Sequence, residues 1–413
     1  MVSIGNIYNL IHKILKIFGK TVLDLLKIKQ LYSTLIYNKL VKCYNYDYEG
    51  EVFMSNEELT RIIIMVLTSF IFVCSLIPFI KNVANHVGAV DIPNERKVHK
   101  KPMPRLGGLG IFLGFLLGYM LFGEASSIMN SILIGSFIIV LTGVVDDIKP
   151  LKASTKFIGQ LVAACIVVFY GNIVMQDLSA FGLYLNFGIF AYPVTIFFIL
   201  GCINCINFID GLDGLAAGIS SIYFVTIGII AFMQGKLSLD CVLTFVMLGS
   251  TLGFLVHNFN PASIFMGDSG SMFLGFMIAV IALLGFKNVT MTSLIIPLLV
   301  LAIPILDTIF AIIRRTLKGE SISTPDKFHI HHQLLRKNFS QKTTVLIIYG
   351  IDLLFALASI IYFLKDRIFG YIIYGILLFI VVILVVKTDV VVEHNHNKNN
   401  IFDKMVKKIK KDK

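Results

Sequence analysis

Charge is what this sequence has least of. Only 15% of its 413 residues are Asp, Glu, Lys or Arg, against about a quarter in soluble globular domains, and that shortage excludes an ordinary water-soluble fold. Hydrophobic residues reach 56% and the mean hydropathy is +0.84. Cysteine is sparse: there are six, and five of them (Cys74, Cys165, Cys202, Cys205 and Cys241) fall inside apolar runs, which excludes a disulfide framework. Cys202 and Cys205 form a CxxC, but no second pair follows. They read as small packing residues and not as a zinc or redox centre. Two further features are lacking. No halved internal repeat of the transporter kind is visible, and the N-terminus has no compact apolar core with a small-residue cleavage site, as a signal peptide would.

What is present is apolar sequence in runs near 20 residues, the length at which a helix crosses a bilayer. Eleven spans are read, at 59–80, 107–123, 131–145, 156–170, 190–207, 215–233, 240–256, 270–286, 292–312, 343–363 and 369–387. The predicted fold is an all-α polytopic membrane bundle. Its parts are an N-terminal basic amphipathic extension (1–57), a transmembrane domain (58–387) and a polybasic tail (388–413) ending "KMVKKIKKDK". Alternate loops carry sixteen Lys and Arg residues on one side against four on the other, so the richer side is expected to be cytoplasmic, with the tail on that side too. The net charge of +11 belongs mainly to loops and tail and suits a membrane surface or an anionic substrate, not nucleic acid. Residues 1–53 put seven lysines on the opposite side, and the expectation is that the biological chain starts at Met54.

With that topology, the unusual polar residues gather at one face of the membrane. The loops there contain "VHKKPMPRLGG" (98–108), "DDIKPLKASTK" (146–156), "NCINFIDGLDGLAAG" (204–218), "HNFNPASIFMGDSGS" (257–271) and "PDKFHIHHQLL" (325–335). Ionisable groups kept at membrane depth mark function. Asp146, Asp147, Asp210, Asp213 and Asp268 are hard oxygen ligands suited to Mg²⁺, and the Lys, Arg and His of the neighbouring loops suit phosphate groups. The combination describes a magnesium-assisted site for a diphosphate. In the third loop the acids and amides step by three residues, about 300° of helix, so Asn204 and Asp213 would end on opposite sides of a straight helix. The expected solution places Asn204 and Asn207 in the last turns of the fifth span, with the aspartates in a turn leading to the sixth. Asp146 and Asp147 point about 100° apart and are expected to do different jobs.

At these motifs the sequence resembles the polyprenyl-phosphate N-acetylhexosamine-1-phosphate transferases. The resemblance runs from about residue 58 to 387. It rests on the Asp-Asp pair after the third span, NxxNxxDGxDGL, the GDSGS loop and the His-x-His-His loop, in that order. It implies an eleven-span fold, a cytoplasmic active site in a bacterial plasma membrane, and transfer of a sugar 1-phosphate from a UDP-sugar to undecaprenyl phosphate with release of UMP. It implies Mg²⁺, with Mn²⁺ able to take its place, and homodimers occur in the family. By the same resemblance Asp268 is the principal metal ligand and Phe265 stacks on uracil. Asp213 lies near the uracil, and Asp210 and Asn207 line the nucleotide-diphosphate region. Asp146 and Asp147 match a pair assigned to metal binding or to the acceptor phosphate. His329, His331 and His332, with Arg314 and Lys101, would surround the phosphates or the sugar.

The acceptor is a phosphate monoester with a second pKa near 6, so it is mostly dianionic at neutral pH and hardly needs a general base. Direct attack on the β-phosphorus is the favoured route; a two-step route through Asp146 or Asp147 as nucleophile is the alternative. The segments "HIHH" and "KPMPRLGG" look like the N-acetylglucosamine branch, with UDP-GalNAc or another UDP-N-acetylhexosamine as the alternative donor. The peptidoglycan branch, which takes UDP-N-acetylmuramoyl-pentapeptide, usually has three consecutive histidines and a TPTMGG-type first loop. A different class, a transporter of an anionic solute, would carry its charges near the bilayer midplane, and here they lie at helix ends. The CDP-alcohol phosphotransferases would require Ala-Arg after the first Asp-Gly, where this chain has "DGLDGLAAG".

Overall fold

The computed structural model describes residues 56–93, 101–180, 183–233, 237–288, 295–319, 329–364 and 367–387. Expectations placed on residues 1–55 and on the tail from 388 lie outside them, including the start at Met54. Among the described residues the chain is almost wholly helical, in the order α1 (Asn56–Val87), α2 (Gly107–Phe122), α3 (Ser127–Ile148), α4 (Ala153–Cys165), α5 (Ala191–Ile209), α6 (Leu215–Met233), α7 (Leu239–Asn258), α8 (Asp268–Asn288), α9 (Ile295–Val300), α10 (Ala302–Lys318), α11 (Ile330–Arg336), α12 (Gln341–Leu364) and α13 (Arg367–Lys387). A wider π turn, Ile166–Tyr170, extends α4. Eight of the segments are long and apolar enough to cross a membrane.

Two short antiparallel hairpins complete the fold. β1 (Val90–Asp91) pairs with β2 (Met103–Pro104) just before α2. β3 (Asp177–Ala180) pairs with β4 (Leu183–Asn186), where Asp177 faces Asn186.

The layering follows from where apolar residues fall on each helix. A helix that is hydrophobic all round must be buried, and α8 is such a helix: Met272, Phe273, Leu274 and every residue from Phe276 to Leu284 are buried. It packs against α2, α3, α5 and α7. Outer helices instead show one apolar side outward, as do Ile63, Leu67 and Ile71 on α1, Leu353 and Leu357 on α12, and Ile372, Ile376 and Phe379 on α13. Without water, such a face requires lipid.

Each of the eleven expected spans meets a helix, but the ninth is not continuous. It is α9 and α10, parted at Leu301. Pro304 has no N–H for the carbonyl of Val300 and its ring crowds that position, which breaks a helix there. The turn between α5 and α6 is as the spacing predicts: Asn204 and Asn207 lie in the closing turns of α5, Asp210 caps it, and α6 begins at Leu215.

Candidate active site

The site is organised around the start of α8. Gly267 precedes it with φ +74°, a left-handed conformation that glycine adopts without steric cost. A side chain there would also run into the carboxylate of Asp147. The Asp147 side chain is completely enclosed. Its Oδ1 accepts from the backbone N–H of Asp268 (2.9 Å) and its Oδ2 from the N–H (3.1 Å) and hydroxyl (2.7 Å) of Ser269. A carboxylate at a helix N-terminus satisfies donors that the helix itself leaves unpaired.

Arg105 closes the other side of Asp147, at 3.0 Å from Oδ1, and also lies 3.5 Å from Asp268 and 3.7 Å from Asp91. Burial works against its charge, yet the three carboxylates more than offset that and hold its pKa above the ordinary value. Lys156, from α4, sits 2.8 Å from Asp268 Oδ2 and 3.5 Å from Asp146 Oδ1. Asp146 also accepts from the backbone N–H of Leu151 at 2.8 Å, fixing the α3–α4 turn. Asp146, Asp147 and Asp268 each bring an oxygen to a common point, within 4.8 Å of one another. Three clustered hard oxygen donors fit a divalent ion such as Mg²⁺.

Neighbouring backbones come close enough to place this cluster. Gly108 of α2 lies against Gly270, and a Cβ at 108 would be 2.0 Å from the Gly270 nitrogen. The first loop is stitched to the fourth by Phe265 N–H to Pro104 O (2.8 Å), Gly107 N–H to Phe265 O (3.0 Å) and Gly108 N–H to Met266 O (2.8 Å). Phe265 is therefore held between two rigid segments.

In front of α8 opens a cavity of about 720 Å³, lined among others by Lys101, Arg105, Asn207, Asp210, Asp213, Asn260, Phe265, Asp268, Ser271 and His332. The polar series of the third loop divides its labour. Asn204 faces back into the bundle and donates to Gln160 Oε1 at 3.0 Å, whereas Asn207 donates to Ser271 Oγ at 2.8 Å and ties α5 to α8 at the cavity wall. Asp213 accepts from Asn260 Nδ2 (2.9 Å) and from the Ala262 N–H (3.1 Å), which fixes the loop leading to Phe265. Asn258 joins the same two loops, accepting from the Gly214 N–H and donating to Ile264 O. Burial, with repulsion from Asp268 and Asp147, pushes the Asp210 carboxyl up to about 7, although Arg105 draws it down.

Seven of the predicted residues thus share one cavity: Lys101, Asn207, Asp210, Asp213, Phe265, Asp268 and His332. Asp146 and Asp147 stand behind Asp268 in the last turn of α3. Arg314, His329 and His331 are buried and do not line the cavity. His331 lies with Nε2 against Gly211, and neither of its ring nitrogens has a hydrogen-bond partner among the described residues. Burial, then His332, lowers its pKa to about 3. Sequence reasoning missed Arg105, Lys156, Asn260 and Asp307. The first two stood in the same polar stretches as Lys101 and Asp146, and their basic charge beside acidic loops was the available signal. Asp307, in the apolar run "LAIPILDTIF", had only its isolation to mark it.

Residues 129–286 match the family described as Glycosyl transferase family 4, a stretch that runs from α3 through α8. Over 344 residues the chain is 42% identical to a probable undecaprenyl-phosphate N-acetylglucosaminyl 1-phosphate transferase of Bacillus subtilis, covering 82% of this chain and 94% of the relative. This chain belongs to glycosyl transferase family 4. A decaprenyl-phosphate N-acetylglucosaminephosphotransferase of Mycobacterium tuberculosis is 34% identical over 69% of this chain and 78% of its own length. An undecaprenyl-phosphate alpha-N-acetylglucosaminyl 1-phosphate transferase of Escherichia coli O157:H7 is 29% identical over 68% and 79%. As a member of this family the chain is a multi-pass membrane enzyme of the glycosyl transferase type.

Proposed function

We propose that this enzyme transfers N-acetylglucosamine 1-phosphate from UDP-N-acetylglucosamine to undecaprenyl phosphate, giving undecaprenyl-diphospho-N-acetylglucosamine and UMP at the cytoplasmic face of the membrane. The product would be the first lipid-linked intermediate of a teichoic acid, O-antigen or related envelope polymer. The observation that carries the reading is the cavity itself: a carboxylate-edged pocket with Lys101 and Arg105 on its rim and Phe265 in its wall, in a chain whose relatives are named for this transfer. The same names favour it over transfer of phospho-N-acetylmuramoyl-pentapeptide.

The geometry supports the following assignment of roles. Phe265 offers an aromatic face to uracil, and Asp213 holds that loop in place through Asn260 and Ala262. Asn207, Asp210 and His332 face the diphosphate and sugar, with Lys101 and Arg105 supplying positive charge. Asp268 and Asp146 would hold Mg²⁺. Bound there, the ion would stabilise negative charge on the phosphoryl oxygens. Asp147, whose two oxygens already accept from Arg105, Asp268 and Ser269, positions Asp268. Lys156 screens the Asp146–Asp268 pair. In the reaction the dianionic lipid phosphate forms a new P–O bond to the β-phosphorus and UMP departs with the electrons of the broken bond. Direct attack is supported by the enclosure of Asp147 and by the side chain of Asp146, only 7% exposed. Neither lines the cavity as a nucleophile should.

The test is transfer by purified protein in detergent with undecaprenyl phosphate and Mg²⁺, comparing radiolabelled UDP-N-acetylglucosamine with UDP-N-acetylmuramoyl-pentapeptide, each with and without chelator. Lipid-soluble label from the first donor alone, lost with chelator, is the expected result. Label from the muramoyl donor alone would move the protein to the peptidoglycan branch.

A further inference from the structure

Where α10 meets the start of α11 lies a buried pair that the proposed reaction leaves unused. Asp307, on α10, is 2% exposed. Its Oδ2 lies 2.8 Å from His329 Nδ1 and its Oδ1 accepts from the Ile330 N–H at 2.9 Å. A carboxylate without a proton only accepts, so it holds a proton on His329 Nδ1, and in the neutral ring that leaves Nε2 as the acceptor. The ring nearest in orientation is His331, stacked on His329 at 5.7 Å between centroids with 5° between planes. His331 in turn lies 4.3 Å from His332, which lines the cavity.

We infer that Asp307 is a positioning residue for the transfer: it fixes the tautomer and the orientation of His329, and through the stacked rings it sets where His332 meets the bound donor. The inference rests on the transferase reading above. One carboxylate does two things here. It anchors the first N–H of α11, and it chooses which nitrogen of His329 is protonated, since the bond at one ring nitrogen determines the state of the other.

Asp307→Asn separates these two tasks. The amide oxygen still accepts from Ile330 N–H, while the amide NH₂ now faces His329 and forces its Nδ1 to become an acceptor, moving the proton to Nε2. His329→Asn is the companion variant, because its side-chain NH₂ stands where Nδ1–H stood and removes only the ring. The full-length protein, purified in detergent, is assayed for transfer from UDP-N-acetylglucosamine, and ¹⁵N-histidine-labelled protein reports the tautomer by NMR. The expected result is that Asp307→Asn melts as wild type does, loses activity by about tenfold or more, and shifts one histidine from the Nδ1–H to the Nε2–H signature. The double variant should be no less active than His329→Asn alone. Activity within about twofold of wild type, an unchanged tautomer, or full multiplication of the two losses would overturn the inference. Absence of transfer by the wild type would instead count against the donor assignment. The tautomer shift in Asp307→Asn would still judge the Asp307–His329 link: present, it sustains it; absent, it overturns it.

Discussion

Two polar clusters, one at the start of α8 and one around the histidines of α11, are built on opposite terms. At the start of α8 the three clustered carboxylates are engaged: Asp147 caps α8 and pairs with Arg105, Lys156 joins Asp146 to Asp268, and Asn207 reaches Ser271 beside them. Around the histidines, buried polar atoms stand without hydrogen-bond partners among the described residues, both nitrogens of His331 and the Nε2 of Gln333 among them. Fully satisfied networks rigidify a site, and unpaired buried groups cost stability. The first cluster is therefore preorganised for charge, and the second keeps neutral donors and acceptors to spare at a cost to the fold.

That contrast is tested first where the effect should be largest. Asp268→Asn removes the carboxylate that both edges the cavity and belongs to the three-aspartate cluster, and transfer should fall by about a thousandfold or more, measured as lipid-linked label. Asp147→Asn comes next. It leaves the cavity lining untouched but unbalances Arg105 and the α8 cap. Thermal unfolding in detergent should then show a loss of about 3–5 kcal/mol, with activity falling alongside it. An active Asp147→Asn protein of normal stability would break the comparison outright.

A smaller effect concerns pH. Asp210 titrates near 7 in the folded protein, well above the ordinary carboxylate near 4. Between those values the folded chain holds a proton that the unfolded chain has released, so stability declines as pH rises from about 4 to 7 and the penalty is complete above it. The neutral form also repels a diphosphate less, so affinity for UDP-N-acetylglucosamine should weaken as pH rises from 6 to 8 in titration calorimetry. Asp210→Asn should flatten both dependences. His331, already neutral above about 3, should leave them in place when changed to Gln. The smallest effect is expected of His331→Phe on stability. No hydrogen bond among the described residues is lost there, so unfolding should shift by less than about 1 kcal/mol, in contrast to Asp147.

Much of this was legible in the sequence because membrane helices declare themselves by length and apolarity alone. The turn at Asp210–Gly214 was legible too, since a three-residue polar period does not fit one face of a helix. The break at Leu301 was less so: Pro304 sits in an apolar run whose average hydropathy hides it. Site membership was legible by residue type, but the division of labour was not. Asp146 and Asp147 are equal in sequence, and only the packing of α3 on the start of α8 assigns one to the α3–α4 turn and the other to the α8 cap. Arg105 and Asp307 were hidden for a related reason, as their partners lie 42 and 22 residues away.

The most direct measurement is a rapid-mixing experiment with uridine-labelled UDP-N-acetylglucosamine, following UMP with and without undecaprenyl phosphate. Release of UMP only when the lipid phosphate is present, in step with lipid-linked N-acetylglucosamine, is the result predicted for direct attack at this site. A burst of UMP equal to the enzyme concentration without acceptor, leaving sugar phosphate on the protein, would contradict it.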